Sequence, residues 1–299
     1  MAGAPKEFDF EKAVLAMGTK VCDVWVGPGT MFYVKALDYD VDKHPELKPY
    51  EDQRVKAIAP PGPVWDKAGK TVPQSPVSYS QCFENATTLQ QSSTFAWNTS
   101  TTQTFTWSLT ESLKTGLTAS VEAGVPAVSK ATVSWSVELS VSSTQAQTKT
   151  ETQSWTINQP VLVPPQAAVR ASGRISRNTY DYPFILPVTF KGKVAIMTTK
   201  SFNYTLTPDI PGGTTIGINN SSHDLVAFAP IGSLCTWWRN SGGEPFPIKV
   251  IDQDTIVYEM NGVFQGAEGV DYQVLLEQLP IGGCGHSDEV IRLGEADLG

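Results

Sequence analysis

FTWSLTESLKTGLTASVEA at residues 105–123 and VSWSVELSV at residues 133–141 alternate between apolar and polar side chains. In the first stretch, eight of the ten odd positions are apolar, whereas none of the nine even positions is. The second stretch continues the same odd-numbered pattern. A period of two predicts β-strands, because an amphipathic helix repeats every 3.6 residues.

The two stretches flank a short segment, GVPAVSKA at residues 124–131, which predicts an antiparallel hairpin. Paired residues of a hairpin share a face, so the odd positions of both arms form one apolar face. The surrounding segment 87–156 has 30 Ser or Thr among its 70 residues. Ordered apolar positions within it indicate strands rather than a disordered linker.

An apolar face opposite a polar one, on strands of about 9–11 residues, is what a transmembrane β-barrel requires. We therefore interpret residues 105–141 as a membrane-inserting hairpin. The predicted lipid face comprises Leu113, Leu117, Ala119, Val121, Ala123, Val125, Val133, Trp135, Val137, Leu139 and Val141. The predicted pore lumen is lined by Lys114, Ser120, Glu122, Ser134 and Glu138.

One hairpin cannot close a barrel, and an open sheet edge is not tolerated in hydrocarbon. Several protomers would each have to contribute two strands, and we expect a homo-oligomer. In solution the apolar face would aggregate, so we expect it to be covered in the soluble form. The alternative is an ordinary sandwich hairpin, but a first arm of 19 residues far exceeds the usual strand of about 5–6.

The rest of the chain is predicted to be all-β, with many short strands and a short N-terminal helix over Glu7–Met17. That helix would place Phe10, Val14 and Leu15 on one side. Val21–Val26 is predicted as a strand and the Pro-rich passage 60–76 as an irregular connection. Ile256–Phe264 and Tyr272–Leu279 are predicted as two separate strands.

We expect an elongated molecule of several lobes, built from long twisted antiparallel strands and a β-sandwich. The predicted regions are an N-terminal lobe at 1–82, a pore-forming module at 83–205, and C-terminal sandwich strands with an activation tail at 206–299. Arg292 in that tail is a candidate site for a trypsin-like protease.

Composition excludes several function classes. A net charge of −8 without clustered Lys or Arg argues against a nucleic-acid partner. Three histidines and an acidic loop that lacks the EF-hand Gly and Glu argue against a metal site. We find no catalytic motif, so we expect neither an enzyme nor a cofactor.

The four cysteines lack a CxxC pair, and isolated thiols and one or two disulfides remain open. Two aromatic sets could bind a glycan or lipid headgroup by stacking, although we expect most of their members to be core residues. Their candidate residues for receptor binding are Trp25, Tyr33, Trp237 and Trp238. The sequence does not specify whether that receptor is a glycan, a lipid or a protein.

Residues 123–126 (AGVP), the alternating second arm, the polar run 142–154 and PVLVPP at 160–165 resemble the insertion region of aerolysin-like β-pore-forming proteins. The epsilon-toxin/mosquitocidal-toxin branch and the natterin-like proteins are the most similar. VYEMNGVFQG at 257–266 is similar to the C-terminal strand pair of this superfamily. The resemblance covers about residues 85–280, and it leaves residues 1–82 unassigned.

The resemblance implies a protein that is secreted in a soluble form and then acts on the membrane of a target cell. Such proteins bind a surface receptor, assemble into rings of about seven protomers and refold a tucked hairpin into a barrel. Residues 1–20 lack the features of a signal peptide, so we expect either a removed leader or another export route. The alternative function is a non-lytic glycan-binding β-sandwich module.

Overall fold

The protein is described by a computed structural model over residues 6–58, 62–66, 68–115, 120–130, 136–200, 203–206, 216–219 and 226–284. Within these ranges, α1 spans Phe10–Trp25, α2 spans Ile231–Asn240, and one 3-10 helix spans Pro45–Gln53. The strands are β1 Lys6–Asp9, β2 Met31–Lys35, β3 Lys56–Ile58, β4 Val64–Trp65, β5 Lys70–Asn85, β6 Gln91–Leu109, β7 Glu111–Lys114, β8 Ser120–Gly124, β9 Ser136–Ser140, β10 Gln147–Val163, β11 Ala167–Lys191, β12 Lys193–Thr198, β13 Asn203–Leu206, β14 Ile216–Asn219, β15 Val226–Pro230, β16 Ile248–Asp252 and β17 Thr255–Pro280.

Two very long strands form the axis of the molecule. β11 and β17 have 25 and 26 residues and pair antiparallel along their whole length. At about 3.3 Å per residue, such a pair is about 80 Å long. The main sheet runs β10-β6-β17-β11-β3, and β4 and β5 also pair with β11. The predicted all-β, elongated architecture with a short N-terminal helix is confirmed.

The main sheet separates into two layers at one end. β6 pairs with β17 only over residues 104–109, whereas it pairs with β10 over residues 91–107. The β6–β10 pair packs there on the β5–β11–β17 layer. The core between the layers contains Phe95, Trp97, Ile157, Val161, Val163, Val169, Ala171 and Ile175.

The opposite end holds the main hydrophobic core. It joins α1, α2, β12 and β15 to the ends of β6, β11 and β17. Large buried side chains at its centre include Phe10, Trp107, Phe184, Phe190 and Phe264. The phenyl rings of Phe10 and Phe190 stack with their centroids 4.1 Å apart, so α1 is anchored directly on β11.

α1 begins later and ends later than predicted. Asp9 caps it by accepting a 3.0 Å hydrogen bond from the Lys12 N–H. The buried residues Phe10, Val14, Met17 and Val21 follow a helical period as far as the last turn. The strand predicted at Val21–Val26 is therefore wrong, because those residues continue the buried stripe. Leu15, predicted on that stripe, is 47% exposed.

The Pro-rich passage also differs from its prediction. β5 begins at Lys70 and contains both Pro73 and Pro76. Pro73 pairs opposite Asn178, whereas Pro76 lies where the register with β11 shifts. Bulges accommodate proline because they need no N–H there. The two strands predicted at 256–264 and 272–279 are joined in the single β17, with a register shift next to Gly269.

A disulfide joins Cys82 of β5 to Cys284, which follows β17. It links two strands that flank β11, at the end distant from the main core. Cys22 and Cys235 are free and buried. β5 continues through residue 82, where the first region was predicted to end, and the division into three regions stays a prediction.

Candidate functional site

The predicted hairpin is present as β8 and β9, which pair antiparallel. Val121 lies opposite Leu139, and Ala123 lies opposite Val137. Odd residues therefore face odd residues, as the alternation predicts. Leu117, Ala119, Val133, Ser134 and Trp135, together with the predicted tail cleavage site, lie outside the described residues.

The odd-numbered face is buried in the main core. Its described members are at most 8% exposed, apart from Val125, which is half-buried and packs on the same core. The buried members are Leu113, Val121, Ala123, Val137, Leu139 and Val141. The face is thus kept out of water by the rest of the protein, which prevents the aggregation that an open apolar β-face would cause.

The even-numbered face points outward. Glu122 and Glu138 are exposed and lie directly opposite each other, while Ser120 and Ser136 are half-buried. The Ser120 hydroxyl donates a hydrogen bond to Glu138. Two like charges on facing strands repel each other, so this pair weakens the association of β8 with β9.

The first arm of the hairpin is not one continuous strand. β6 ends at Leu109, and both the N–H and the hydroxyl of Thr110 donate to the carbonyl of Asn261, at 2.9 and 3.0 Å. The chain leaves the main sheet there, and β7 pairs in parallel with β1. The prediction of a 19-residue arm over 105–123 is wrong for this form, because tertiary contacts with β17 interrupt the alternation.

Two further hydrogen bonds hold β8 and β9 and the segments next to them in place. The buried indole of Trp107 donates to the carbonyl of Gly124 at 3.2 Å, next to the tip. The Leu113 N–H donates to the Val141 carbonyl at 2.8 Å and joins β7 to the end of the second arm. These contacts involve a few polar groups, and most of the hairpin's association with the body is apolar packing.

Lys114, predicted in the pore lumen, forms an ion pair with Asp9, with Nζ and Oδ2 3.1 Å apart. Burial opposes ionisation of Asp9, but the hydrogen bonds from Lys12 and Lys114 outweigh it and lower the Asp9 pKa. The bond to Asp9 raises the Lys114 pKa. The cap of α1 is thus also a contact to the root of the hairpin.

Three of the four aromatic receptor candidates lie together, between the end of α1 and α2. The Trp25 and Trp237 rings meet edge to face, with their centroids 4.7 Å apart. Trp238 stacks on Phe246, has Lys20 Nζ 5.5 Å from its ring centroid, and donates to the Glu244 carbonyl. These protein contacts occupy much of the Trp238 ring.

Tyr33 lies on β2, and its hydroxyl donates to the Tyr39 carbonyl. Its ring lines a surface cavity of about 380 Å³ between α1 and β2, together with Leu15, Met31 and Phe32. Phe32 is 54% exposed and was not recognised from the sequence. Strand alternation would have placed Phe32 on the same face as the buried Val34, so the sequence carried no signal of its exposure. The register of β2 with β12 shifts at Phe32, which is why the alternation fails there.

Among the described residues, no group of three or more His, Cys, Asp or Glu side chains is arranged to hold a metal ion. The ranges covered by the structure contain no helix that is both long and apolar enough to cross a membrane.

The segment that contains the hairpin matches a known protein family. Residues 68–243, more than half of the chain, match the family described as Clostridium epsilon toxin ETX/Bacillus mosquitocidal toxin MTX2. The matched range includes β5 to β12 and the whole hairpin. No curated protein matches the sequence at a significant level.

Several solved structures share the fold. The Mpp75Aa1.1 β-pore-forming protein from Brevibacillus laterosporus is 14% identical with a TM-score of 0.59, covering 91% of this chain and 90% of that one. The Cry23Aa1 and Cry37Aa1 binary protein complex matches at 19% identity and a TM-score of 0.51, over 82% and 90%. A non-toxic crystal protein from Bacillus thuringiensis matches at 13% identity and a TM-score of 0.50, over 91% and 97%.

At these identities the structural matches establish the fold alone. The family match is independent of them and covers the segment that contains the alternating arms and the buried hairpin. Both agree with the aerolysin-like resemblance inferred from residues 123–165 and 257–266. The chain belongs to the Clostridium epsilon toxin ETX/Bacillus mosquitocidal toxin MTX2 family.

Proposed function

We propose that this protein is a pore-forming toxin or defence protein that permeabilises the membranes of target cells. The observation that carries the proposal is the hairpin β8–β9, which presents one apolar face and one polar face. Its apolar face is buried within the protein, and its polar face carries exposed carboxylates. The family to which the chain belongs comprises toxins, which supports the same function.

In the proposed mechanism, the soluble protein leaves its cell, binds a surface receptor, assembles into a ring of about seven protomers and releases the hairpin. The two arms then extend and pair with those of neighbouring protomers to form a closed barrel. The odd-numbered residues of the predicted lipid face would contact acyl chains. Lys114, Ser120, Glu122, Ser134 and Glu138 would line the aqueous lumen.

Movement of the hairpin from the protein core into the membrane is physically reasonable, because its apolar face avoids water in both states. In solution it is buried in the main core, which also contains Trp107 and Phe264, and in the pore it would be buried in hydrocarbon. The hydrophobic free energy of that face therefore changes little. New backbone hydrogen bonds between protomers, which close the barrel, would provide the driving force.

The receptor contact is proposed for the aromatic residues near α1, namely Trp25, Tyr33, Trp237 and Trp238. The α1–β2 cavity, with Tyr33 and the exposed Phe32, offers an open surface for stacking on a glycan or lipid headgroup. This cavity also favours the second candidate function, a non-lytic glycan-binding module. The two functions differ in whether binding leads to permeabilisation.

Dye-loaded vesicles of phosphatidylcholine, cholesterol and glycosphingolipid separate the two functions, before and after trypsin treatment of the protein. Pore formation predicts dye release, stepwise conductance in planar bilayers and rings in negative-stain images. Binding to the vesicles without release or conductance would reject the proposal and favour the glycan-binding module.

The choice of hairpin variant depends on the soluble structure. Val121→Lys would place a charge on the proposed lipid face, but Val121 is 3% exposed in the core, so the variant would also destabilise the soluble protein. Ser120→Lys is the suitable variant, since Ser120 lies on the outer face. It should retain pore formation while shifting the selectivity toward anions; loss of all conductance in a folded variant would contradict the face assignment.

A further inference from the structure

The tip of the hairpin ends on a buried carboxylate. Glu268 of β17 is 1% exposed, and its Oε1 accepts hydrogen bonds from the Ser129 hydroxyl at 3.0 Å and the Lys130 N–H at 2.9 Å. The hydroxyl of Tyr180 on β11 donates to the same oxygen. Two of these three donors therefore belong to the hairpin tip, and the third belongs to the body.

We propose that Glu268 is a latch that holds the insertion hairpin in its buried position, and that breaking its two bonds to the tip is a required step in hairpin release. This inference rests on the proposed function, since the latch has a role only if the hairpin moves. No motif in the sequence indicates it, because Glu268 lies about 140 residues from the residues it binds.

The position of Glu268 in the sheet explains how the tip reaches it. β6 pairs with β17 up to Ala267, opposite Thr104. At the next residue of β17 that pairing ends, and the two layers begin to separate. The side chain of Glu268 lies on the same face of β17 as Phe264 of the main core, and there its carboxylate accepts the hydrogen bonds from the tip.

In the contact between Glu268 and the tip, the carboxylate accepts every hydrogen bond and the tip donates. An ionised carboxylate is an acceptor only, and the tip offers it a backbone N–H and a hydroxyl. Burial and the bond to Glu268 raise the pKa of Tyr180 to about 12, so its hydroxyl stays a donor. Hydrogen bonds to an ionised acceptor are roughly twice as strong as those between neutral groups.

Glu268 also has an incomplete set of partners. Its Oε2 is buried and has no hydrogen-bond partner among the described residues. No ion pair found in the described part of the chain involves Glu268. A buried carboxylate with so few partners is costly, and leaving it with one fewer partner costs more than an average hydrogen bond. If the tip left, Tyr180 would be the sole identified donor to Glu268. The cost of losing the other two donors stabilises the tucked position of the hairpin.

Glu268→Gln tests the latch in the soluble protein, because it removes the charge and preserves the shape. Hydrogen exchange of the Lys130 amide, which is itself bonded to Glu268, is the direct readout. We expect its exchange, and that of β8, to become about 10-fold faster or more, as expected for weakening a hydrogen bond to a charged group. Glu277→Gln, on the same strand but paired with Arg170, is the matched control and should change neither.

A general loss of stability would give a different result. In that case the amides of β12 in the main core would exchange faster together with the Lys130 amide, and this outcome would overturn the latch. Ser129→Ala supplies a second test. This substitution should make the tip amides exchange faster in an otherwise wild-type protein and have a smaller effect in the Glu268→Gln background, since both changes act on the same hydrogen bond. If the effects of the two substitutions on tip exchange were fully additive, the result would contradict a hydrogen bond between Ser129 and Glu268.

The exchange measurement needs no membrane, so it reports on the latch independently of the proposed function. If the wild type releases no dye from vesicles, the proposed function fails, and the exchange data still show whether Glu268 holds the tip. If the wild type releases dye and Glu268→Gln changes neither tip exchange nor the lag before release, the latch is rejected and the function stands. Faster exchange and a shorter lag would support both.

Discussion

Single residues at the core show how strongly burial controls chemistry in this protein. Cys22 and Cys235, on α1 and α2, are free thiols within the main core. Burial raises the pKa of each to about 12, with a smaller contribution from Asp23 at Cys22. They act as small apolar side chains, and Cys235 Sγ lies 3.7 Å from the sulfur of Met17.

These two thiols should be inert in the native protein. At pH 8 a thiol with a pKa near 12 is ionised in about one molecule in ten thousand, and burial also blocks the reagent. Titration with a disulfide reagent should therefore detect no thiols before denaturation and two after it. Rapid labelling of either cysteine under native conditions would show that α1 and α2 separate, contrary to the structure.

Asp9 has two roles, which paired substitutions can separate. Asp9→Ala removes the cap of α1 and the ion pair with Lys114, and should lower the free energy of unfolding by about 1 kcal/mol at pH 7. Asp9→Asn keeps a capping side chain and should cost about 0.5 kcal/mol or less, because the lost ion pair is largely exposed. Urea unfolding of both variants measures the difference.

The pH dependence of the Asp9 effect follows from the direction of its pKa shift. The pKa is lower in the folded state than the ordinary value of 3.8. Its ionised form therefore stabilises the fold above that value, and the contribution disappears as the pH falls through the folded pKa. The difference in free energy of unfolding between the wild type and Asp9→Ala should become smaller below about pH 4. A difference that is constant from pH 7 to pH 3 would exclude an ionised cap.

The faces of the hairpin strands β8 and β9 could be read from the sequence. The odd positions of 121–123 and 137–141 face the core because a strand alternates, whatever covers it. The break at Thr110 was not predictable, since it depends on a carbonyl of β17 about 150 residues away. Likewise, Val21 reads locally as a strand residue but is a buried position near the end of a helix.

The facing carboxylates Glu122 and Glu138 give a prediction about the pore. If the even face lines the lumen, each protomer adds two carboxylates to a ring, which favours cations. The double variant Glu122→Gln, Glu138→Gln should form pores with a lower cation-to-anion permeability ratio, measured by reversal potentials across a salt gradient. The soluble form should be unchanged or slightly more stable, because the repulsion across β8–β9 is removed.

Unchanged selectivity in that double variant, with conductance preserved, would show that the two side chains do not reach the lumen. Lys249→Gln provides a control for altered surface charge. Lys249 pairs with Glu259 across β16 and β17, outside the hairpin, and its loss should not affect the permeability ratio.

In the molecule as a whole, two parts differ in how they are held together. The long β11–β17 pair is continuous over 25 residues and is linked to β5 by the Cys82–Cys284 disulfide. The hairpin is held on the body by apolar packing, by Trp107 and by the tip contacts to Glu268. This division suits a protein in which one element moves while the scaffold remains intact.

The fold class and the hairpin faces were predictable because they depend on local periodicity. The pairing of β7 with β1, the helix α2 at Trp237–Trp238 and the Glu268 contact depend on which distant segments meet. The aromatic residues show that residue type alone does not predict whether a side chain is free to bind a ligand. Trp238 reads as a binding residue in the sequence, yet Phe246, Lys20 and Glu244 take up much of its contact capacity.

Photolabelling from within the bilayer tests most directly whether the buried face of the hairpin moves into lipid. A carbene precursor dissolved in the acyl region of vesicles reacts with whatever side chains lie there, and it requires no substitution in the protein. The sites of modification in the wild type would be mapped by mass spectrometry, with vesicle-free protein as the control. We predict label on Val121, Ala123, Val137 and Leu139, with Ser120, Glu122 and Glu138 unlabelled. Dye release accompanied by an unlabelled hairpin would contradict it.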